Sequence, residues 1–118
     1  MKRVAAVLAV GIAISLAVGT RAAAAQSPDG EALYRQHCRT CHGAKGTPTQ
    51  RMVGLYPTLK TLADSALLAG LSVDSIVAIL KKGAGKDMKS FSEKMTPDQM
   101  AAVAQFVKTL GSGAARQP

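Results

Sequence analysis

Tryptophan is absent from this 118-residue chain, and aromatic residues amount to two tyrosines and two phenylalanines. Aromatics normally supply much of the bulk of a small core, so their scarcity points to a core completed by something other than side chains. Acid is scarce too: seven Asp and Glu stand against fifteen Lys and Arg, a formal net charge of +8. Three of those basic residues (Lys2, Arg3 and Arg21) lie in an almost wholly apolar, acid-free first 25 residues. The stretch from 26 to 118 then holds twelve basic and seven acidic residues, a net +5. That is one domain's worth of chain, too short for an enzyme with separate cofactor and substrate domains. Modest charge and few aromatics also make nucleic acid a poor partner, and the stretch is too polar to span a membrane.

The first 25 residues read as an address. Met1-Lys2-Arg3 is a positive n-region, Val4 to Val18 an apolar run, and Ala23-Ala24-Ala25 ends a series of small residues before Gln26. This is the pattern of a cleaved secretory signal peptide. The alternative, a retained anchor, is disfavoured because the run falls short of the ~20 residues of a bilayer span and is interrupted by Gly11 and Ser15. The expected destination is the bacterial periplasm. In that oxidising compartment two cysteines are paired or chemically occupied.

Those cysteines stand at Cys38-Arg39-Thr40-Cys41, followed at once by His42. Cys-x-x-Cys alone is compatible with a redox dithiol, half of a zinc site or haem attachment. A structural zinc needs four protein ligands, and the only further soft candidate is His37 on the same short stretch. A thioredoxin-like dithiol wants a strand before it, and no strand pattern is present. A plain disulfide leaves His42 without a purpose. Haem attachment uses all three residues: two thiols on one turn add to two vinyl groups, and the next residue offers an imidazole to the iron. His37, adjacent to Cys38, reads as a partly exposed helix-end residue rather than a ligand.

The remaining pattern is helical. Ser27-Pro28 reads as an N-cap with Pro at the first position, opening a helix that carries Leu33 and Tyr34 inward. Residues 43–56 read as a loop, and Leu59, Leu62, Leu67 and Leu68 as one or two helical turns. Val73, Ile76, Val77 and Leu80 after Ser72 mark an amphipathic helix stopped by Gly83. A second loop runs from Gly83 to Lys94. Thr96-Pro97-Asp98-Gln99 then forms a capping box before a stripe of Met100, Val103, Val107 and Leu110, with Gly111 as the stop. An electron-transferring iron wants a sixth ligand, and thioether sulfur raises the potential. Met95 and Met100 flank the Thr96 cap as a hydrophobic staple, and Met52 lies only ten residues after His42. Met88, mid-loop and claimed by no helical stripe, is the expected ligand.

From Gly30 to Leu110 the chain resembles a small class I c-type cytochrome. Gly30 and Tyr34 precede the first haem cysteine at the family's spacing, Pro57-Thr58-Leu59 matches its Pro-x-Leu, and Met88 its loop methionine. The resemblance implies an all-α, cytochrome c-like fold of several short helices around one covalent haem c. It further implies that Pro57 accepts a hydrogen bond from His42, and that Val103 and Phe106 pack against Gly30 and Tyr34. Lys89 stands where the family usually has proline after the axial methionine. The expected organisation is a signal peptide over 1–25, a monohaem domain over 26–112 and a frayed tail over 113–118. Cys38, Cys41, His42, Met88 and Pro57 are the expected cofactor-binding residues, with His42 and Met88 on the iron.

Function follows as electron transfer rather than catalysis. Arg39 and Lys45 near the attachment motif, and Lys86, Lys89 and Lys94 near Met88, would steer the chain to donors and acceptors with acidic docking faces. The expectation is a monomeric periplasmic carrier without stable membrane insertion. The alternative is a haem subunit held permanently on a periplasmic dehydrogenase or oxidase. A small peroxidase or ligand sensor would require an open iron site.

Overall fold

A computed structural model describes residues 26–113; the 1–25 address and the tail from 114 lie outside the described residues. Among the described residues six helices follow in order: α1 (Gly30–His37), α2 (Arg39–His42), α3 (Gln50–Leu55), α4 (Ser65–Ala69), α5 (Val73–Lys82) and α6 (Pro97–Ser112). Among the described residues no strand forms, and Ala84 and Met88 make an isolated antiparallel bridge.

α6 is the spine. Thr96 accepts from the Gln99 backbone N–H while the Gln99 side chain accepts from the Thr96 N–H, so both halves of the capping box close. Met95 and Met100, on either side of that cap, are both buried. Met100, Val103, Ala104, Val107, Leu110 and Gly111 form the buried stripe, and α1, α4 and α5 each pack against it. Each large aliphatic side chain so buried contributes roughly 1.5–3 kcal/mol. α5 keeps its expected limits, with the Ser72 hydroxyl accepting from the Ser75 N–H at 3.0 Å and Gly83 at the C-cap.

Three local expectations are corrected and one is sharpened. α1 starts at Gly30, not Pro28, because the Asp29 carboxylate takes the capping role, accepting from the Ala32 N–H at 3.0 Å. The 43–56 loop contains α3, capped by the Thr49 hydroxyl. The leucine-rich turns resolve into α4, whose N-cap Asp64 accepts from the N–H groups of both Ala66 and Leu67. Gly111 does not end α6. It is a buried helical residue whose side chain, if it had one, would lie 2.7 Å from Leu68 Cδ1, and the stop falls to Gly113 in the left-handed conformation.

Two contacts fix the helices on the spine. At Gly30, a Cβ would sit 2.1 Å from the Ala102 carbonyl oxygen, so α1 crosses α6 at a separation only glycine permits. On the far side, the half-buried Lys108 of α6 donates from Nζ to the carbonyls of Leu68 and, at 2.6 Å, Leu71. A cation thereby reinforces the carbonyls at the end of α4 and just beyond it, where Leu68 O also accepts from Leu71 N–H at 3.3 Å. Gly30→Ala should therefore destabilise the protein by about 2 kcal/mol or more through overpacking. Lys108→Met should cost about 2 kcal/mol, the range for losing charged hydrogen bonds. Both are read by denaturant unfolding of the purified protein, and an unchanged midpoint for either variant would contradict the contact assigned to it.

Candidate haem-attachment site

The Cys-x-x-Cys-His segment begins where α1 ends. Cys38 is at once the C-cap of α1 and the N-cap of α2. Its carbonyl accepts from Cys41 N–H at 3.2 Å and from His42 N–H at 3.0 Å, so the two sulfurs occupy successive turns of one right-handed coil. Both thiols are free. Cys38 is buried and Cys41 half-buried. Burial, reinforced by the neighbouring Cys41, pushes the Cys38 thiol up to about 11, so it is held neutral in a site turned toward the interior.

The chain then leaves the motif sharply. Gly43 takes a φ of 80°, and a Cβ there would meet the Thr47 carbonyl oxygen at 2.0 Å. This turn is held from below by Tyr34, a fully buried residue whose hydroxyl donates to the Gly43 carbonyl at 2.8 Å. The Tyr34 ring packs on Phe106 of α6 with centroids 5.2 Å apart and planes tilted by 56°. Burial, together with the Cys38 thiol, raises the Tyr34 phenol well above its ordinary range, which keeps it a donor. Thus the spine, α1 and the attachment segment are joined through one side chain.

His42 is oriented by a backbone carbonyl. Its Nδ1 lies 3.2 Å from the Lys60 oxygen. A carbonyl only accepts, so the contact requires the proton on Nδ1 and leaves the lone pair on Nε2. Burial lowers the His42 pKa, with the Lys60 bond opposing in part, and so favours the neutral ring that ligates metals. The expected acceptor, Pro57, is not used. Leu59 N–H bonds to the Tyr56 carbonyl at 2.9 Å, closing a turn with Pro57 at its second position and carrying Pro57 to the surface. The chain comes back beside the motif at Lys60, where Leu62 and Ala63 donate to the Gly46 carbonyl at 2.7 and 3.1 Å. No residue-type signal in the sequence distinguishes Lys60 from its neighbours, because the contact uses its backbone alone.

The four methionines after residue 26 fall into two groups. Met95 and Met100 belong to the buried core, while Met52 on α3 and Met88 are half-buried. Met88 is held by reciprocal backbone bonds with Ala84: Ala84 N–H to Met88 O at 2.8 Å and Met88 N–H to Ala84 O at 3.3 Å. Like Phe91 and Val77, it packs against the core cluster. His37, at the end of α1, has its ring 6.1 Å from that of Phe91, edge to face. Tyr34→Phe removes the donor to the Gly43 carbonyl and should cost about 1 kcal/mol, measured by denaturant unfolding. Retained stability would show that this hydroxyl does not tether the segment.

Comparison with known proteins agrees with the geometry. Residues 25–107 match the family described as cytochrome c oxidase, cbb3-type, subunit III. The chain is 30% identical over 84 residues to the cbb3-type cytochrome c oxidase subunit FixP of Azorhizobium caulinodans, covering 71% of this chain and 27% of that protein. It is 50% identical over 50 residues to the dihydro-heme d1 dehydrogenase of Pseudomonas aeruginosa, covering 42% of this chain and 9% of that protein. The chain thus spans less than a third of the length of these curated relatives. Among solved structures, the KustC0563 c-type cytochrome superposes with a TM-score of 0.63 at 36% identity, over 70% of this chain and 96% of that one. A tyrosine-to-phenylalanine variant of the same cytochrome gives 0.61 at 35% identity, over 70% of this chain and 98% of that one. The chain belongs to this family: it is a small, all-α monohaem c-type cytochrome domain whose cofactor is a covalently bound haem c.

Proposed function

We propose that this cytochrome is an exported one-electron carrier of the periplasm, with residues 1–25 as its cleaved signal and residues 26–112 as its haem domain. Cys38 and Cys41 would carry the two thioether links, His42 would bind the iron through Nε2, and Met88 would supply the opposite ligand. The bound haem supplies a ferric–ferrous couple. The protein's part is to keep both ligands in place in both oxidation states, so that little has to move when an electron passes.

The observation that carries this reading is the 3.2 Å contact between His42 Nδ1 and the Lys60 carbonyl oxygen. With Nδ1 engaged by the Lys60 carbonyl, the ring presents a neutral, pre-oriented Nε2 one residue beyond two free thiols. Such a backbone acceptor strengthens the imidazole as a donor. Met88 is favoured over its competitors by what those do elsewhere: Met95 and Met100 are occupied in the core, and Met52 sits on α3, soon after His42 in the chain. If His42 and Met88 both bind the iron, no position on it would be left for a substrate, which favours a carrier over a peroxidase or sensor.

A second reading has its own support. The curated relatives are several times longer and are named as an oxidase subunit and a dehydrogenase, so the same chemistry could serve as a haem module fixed on such a complex. Size-exclusion chromatography of a native periplasmic extract separates the two: a free carrier elutes alone at low mass.

Met88→Ala should leave the haem attached, abolish the ferric sulfur-to-iron charge-transfer band in the near infrared, lower the potential and admit cyanide or carbon monoxide readily. Retention of the band in Met88→Ala, with loss in Met52→Ala or Met95→Ala, would assign the ligand elsewhere.

A further inference from the structure

The segment that carries Met88 is fastened to the last turn of α5 from both of its ends. On the incoming side, Gly83 N–H closes the helix on the Ile79 carbonyl at 2.7 Å, and Ala84 pairs with Met88 through reciprocal backbone bonds. Gly83 stands at a φ of 82°, and a Cβ there would lie 2.6 Å from the Met88 carbonyl oxygen. On the outgoing side, Phe91 N–H donates to the Leu80 carbonyl at 2.8 Å. The Ser90 and Ser92 hydroxyls both donate to the Lys81 carbonyl, at 2.5 and 3.0 Å. Ser90 Oγ also accepts from the Ser92 N–H at 3.2 Å, so the two serines act as one unit.

A helix leaves its last four carbonyls without partners of its own. Here three in succession, those of Ile79, Leu80 and Lys81, are taken, and residues beyond Met88 take the last two. A carbonyl oxygen has two lone pairs, and at Lys81 the serines occupy both. Ending the helix does not by itself call for this, because Gly83 already stands at the C-cap of α5. The serines lie nine and eleven positions beyond Lys81. Their bonds therefore close a loop, and the group inside that loop is Met88.

The residue between Met88 and Ser90 shows why the restraint has a use. Lys89 does not fix its own φ, as a proline would, so the backbone leaving Met88 must be held from further along. Phe91, between the two serines, packs against the core cluster and gives that anchorage a floor. The incoming end is tied by backbone groups that every residue possesses. The outgoing end is tied by two particular side chains, and those can be removed. A ligand is held as firmly as the contacts that orient it.

We propose that Ser90 and Ser92 are positioning residues for the sixth ligand: by anchoring the chain just beyond Met88 to the Lys81 carbonyl, they keep the Met88 thioether on the haem iron. This rests on the reading that Met88 binds the iron, and it adds what holds the sulfur there. Neither hydroxyl needs to touch the haem.

The test uses the ferric haem-loaded protein with cyanide as the probe. For cyanide to bind, the bond from iron to the Met88 sulfur breaks and one from iron to carbon forms, with the iron ferric throughout. At low cyanide concentration the rate tracks the fraction of molecules whose sulfur has left. Ser90→Ala combined with Ser92→Ala should raise that rate about tenfold, equivalent to about 1.4 kcal/mol and within the range for two lost hydrogen bonds. Ser92→Ala alone spares the shorter bond and should give a smaller rise in the same direction. The amide hydrogens of Met88 and Phe91 should exchange faster in the double variant. Lys108→Met, which loosens the contact of α4 with α6 instead, should lose stability yet bind cyanide at the parental rate. A parental rate in the double serine variant, or an equal rise in Lys108→Met, would overturn the proposal and leave the ligand reading standing. Survival of the sulfur-to-iron band in Met88→Ala would overturn the ligand reading, and the positioning role with it.

Discussion

The structure depends on the crossing of α1 over α6. Ala102 offers a bare carbonyl and Gly30 offers no side chain, so the two helices meet with backbone against backbone. That closeness puts Tyr34 onto Phe106 and within reach of the Gly43 carbonyl. The attachment motif begins where α1 ends, so its position follows from the angle and depth at which α1 meets the spine. In a chain with four aromatic residues, two of them are spent on this one junction. The rest of the core is aliphatic and methionine-rich, consistent with a domain whose interior is shared with a large planar cofactor.

Much of this was legible in the sequence wherever the signal is local. The Thr96–Gln99 box, the Ser72 cap and the periodic apolar residues of α5 and α6 depend on spacings of three and four residues, and they appear as read. Where sequence reading failed, the deciding partner was often distant. Gly111 looks like a stop because glycine commonly ends helices, yet it is a packing residue whose reason is Leu68, 43 positions earlier. Two misses were local: Asp29 rather than Ser27 caps α1, its carboxylate accepting from the Ala32 N–H at 3.0 Å. α3 was hidden by its polar start and its central glycine.

The site shows the same division. Cys38, Cys41 and His42 are a contiguous motif and could be named at once. The acceptor for the His42 ring could not: Pro57 is identified by its side chain, whereas Lys60 acts through a carbonyl that every residue possesses. Only the turn at Tyr56–Leu59 and the anchoring of residues 62 and 63 on Gly46 decide between them. Lys108 was missed for a related reason. A lysine on a helix usually reads as a solvated charge, and its value here lies in the carbonyls of α4 brought up beside it.

Electrostatics and chemistry share one stretch of the chain. Before haem is attached, burial favours the neutral Cys38 thiol and the neutral His42 ring, while residues 32 to 63 include the exposed Arg39, Lys45, Arg51 and Lys60 and no Asp or Glu. A neutral interior favours a fixed ligand set, and a charged exterior favours rapid encounter. The central claim is that Cys38 and Cys41 are both bonded to one porphyrin that His42 grips. Mass spectrometry of the intact secreted protein, made alongside a working haem-maturation system, tests it most directly, with the attachment residues located by peptide fragmentation. The account predicts a coloured product heavier than the polypeptide by one haem, linked at both Cys38 and Cys41. A colourless product with Cys38 and Cys41 as free thiols or joined to each other would contradict it.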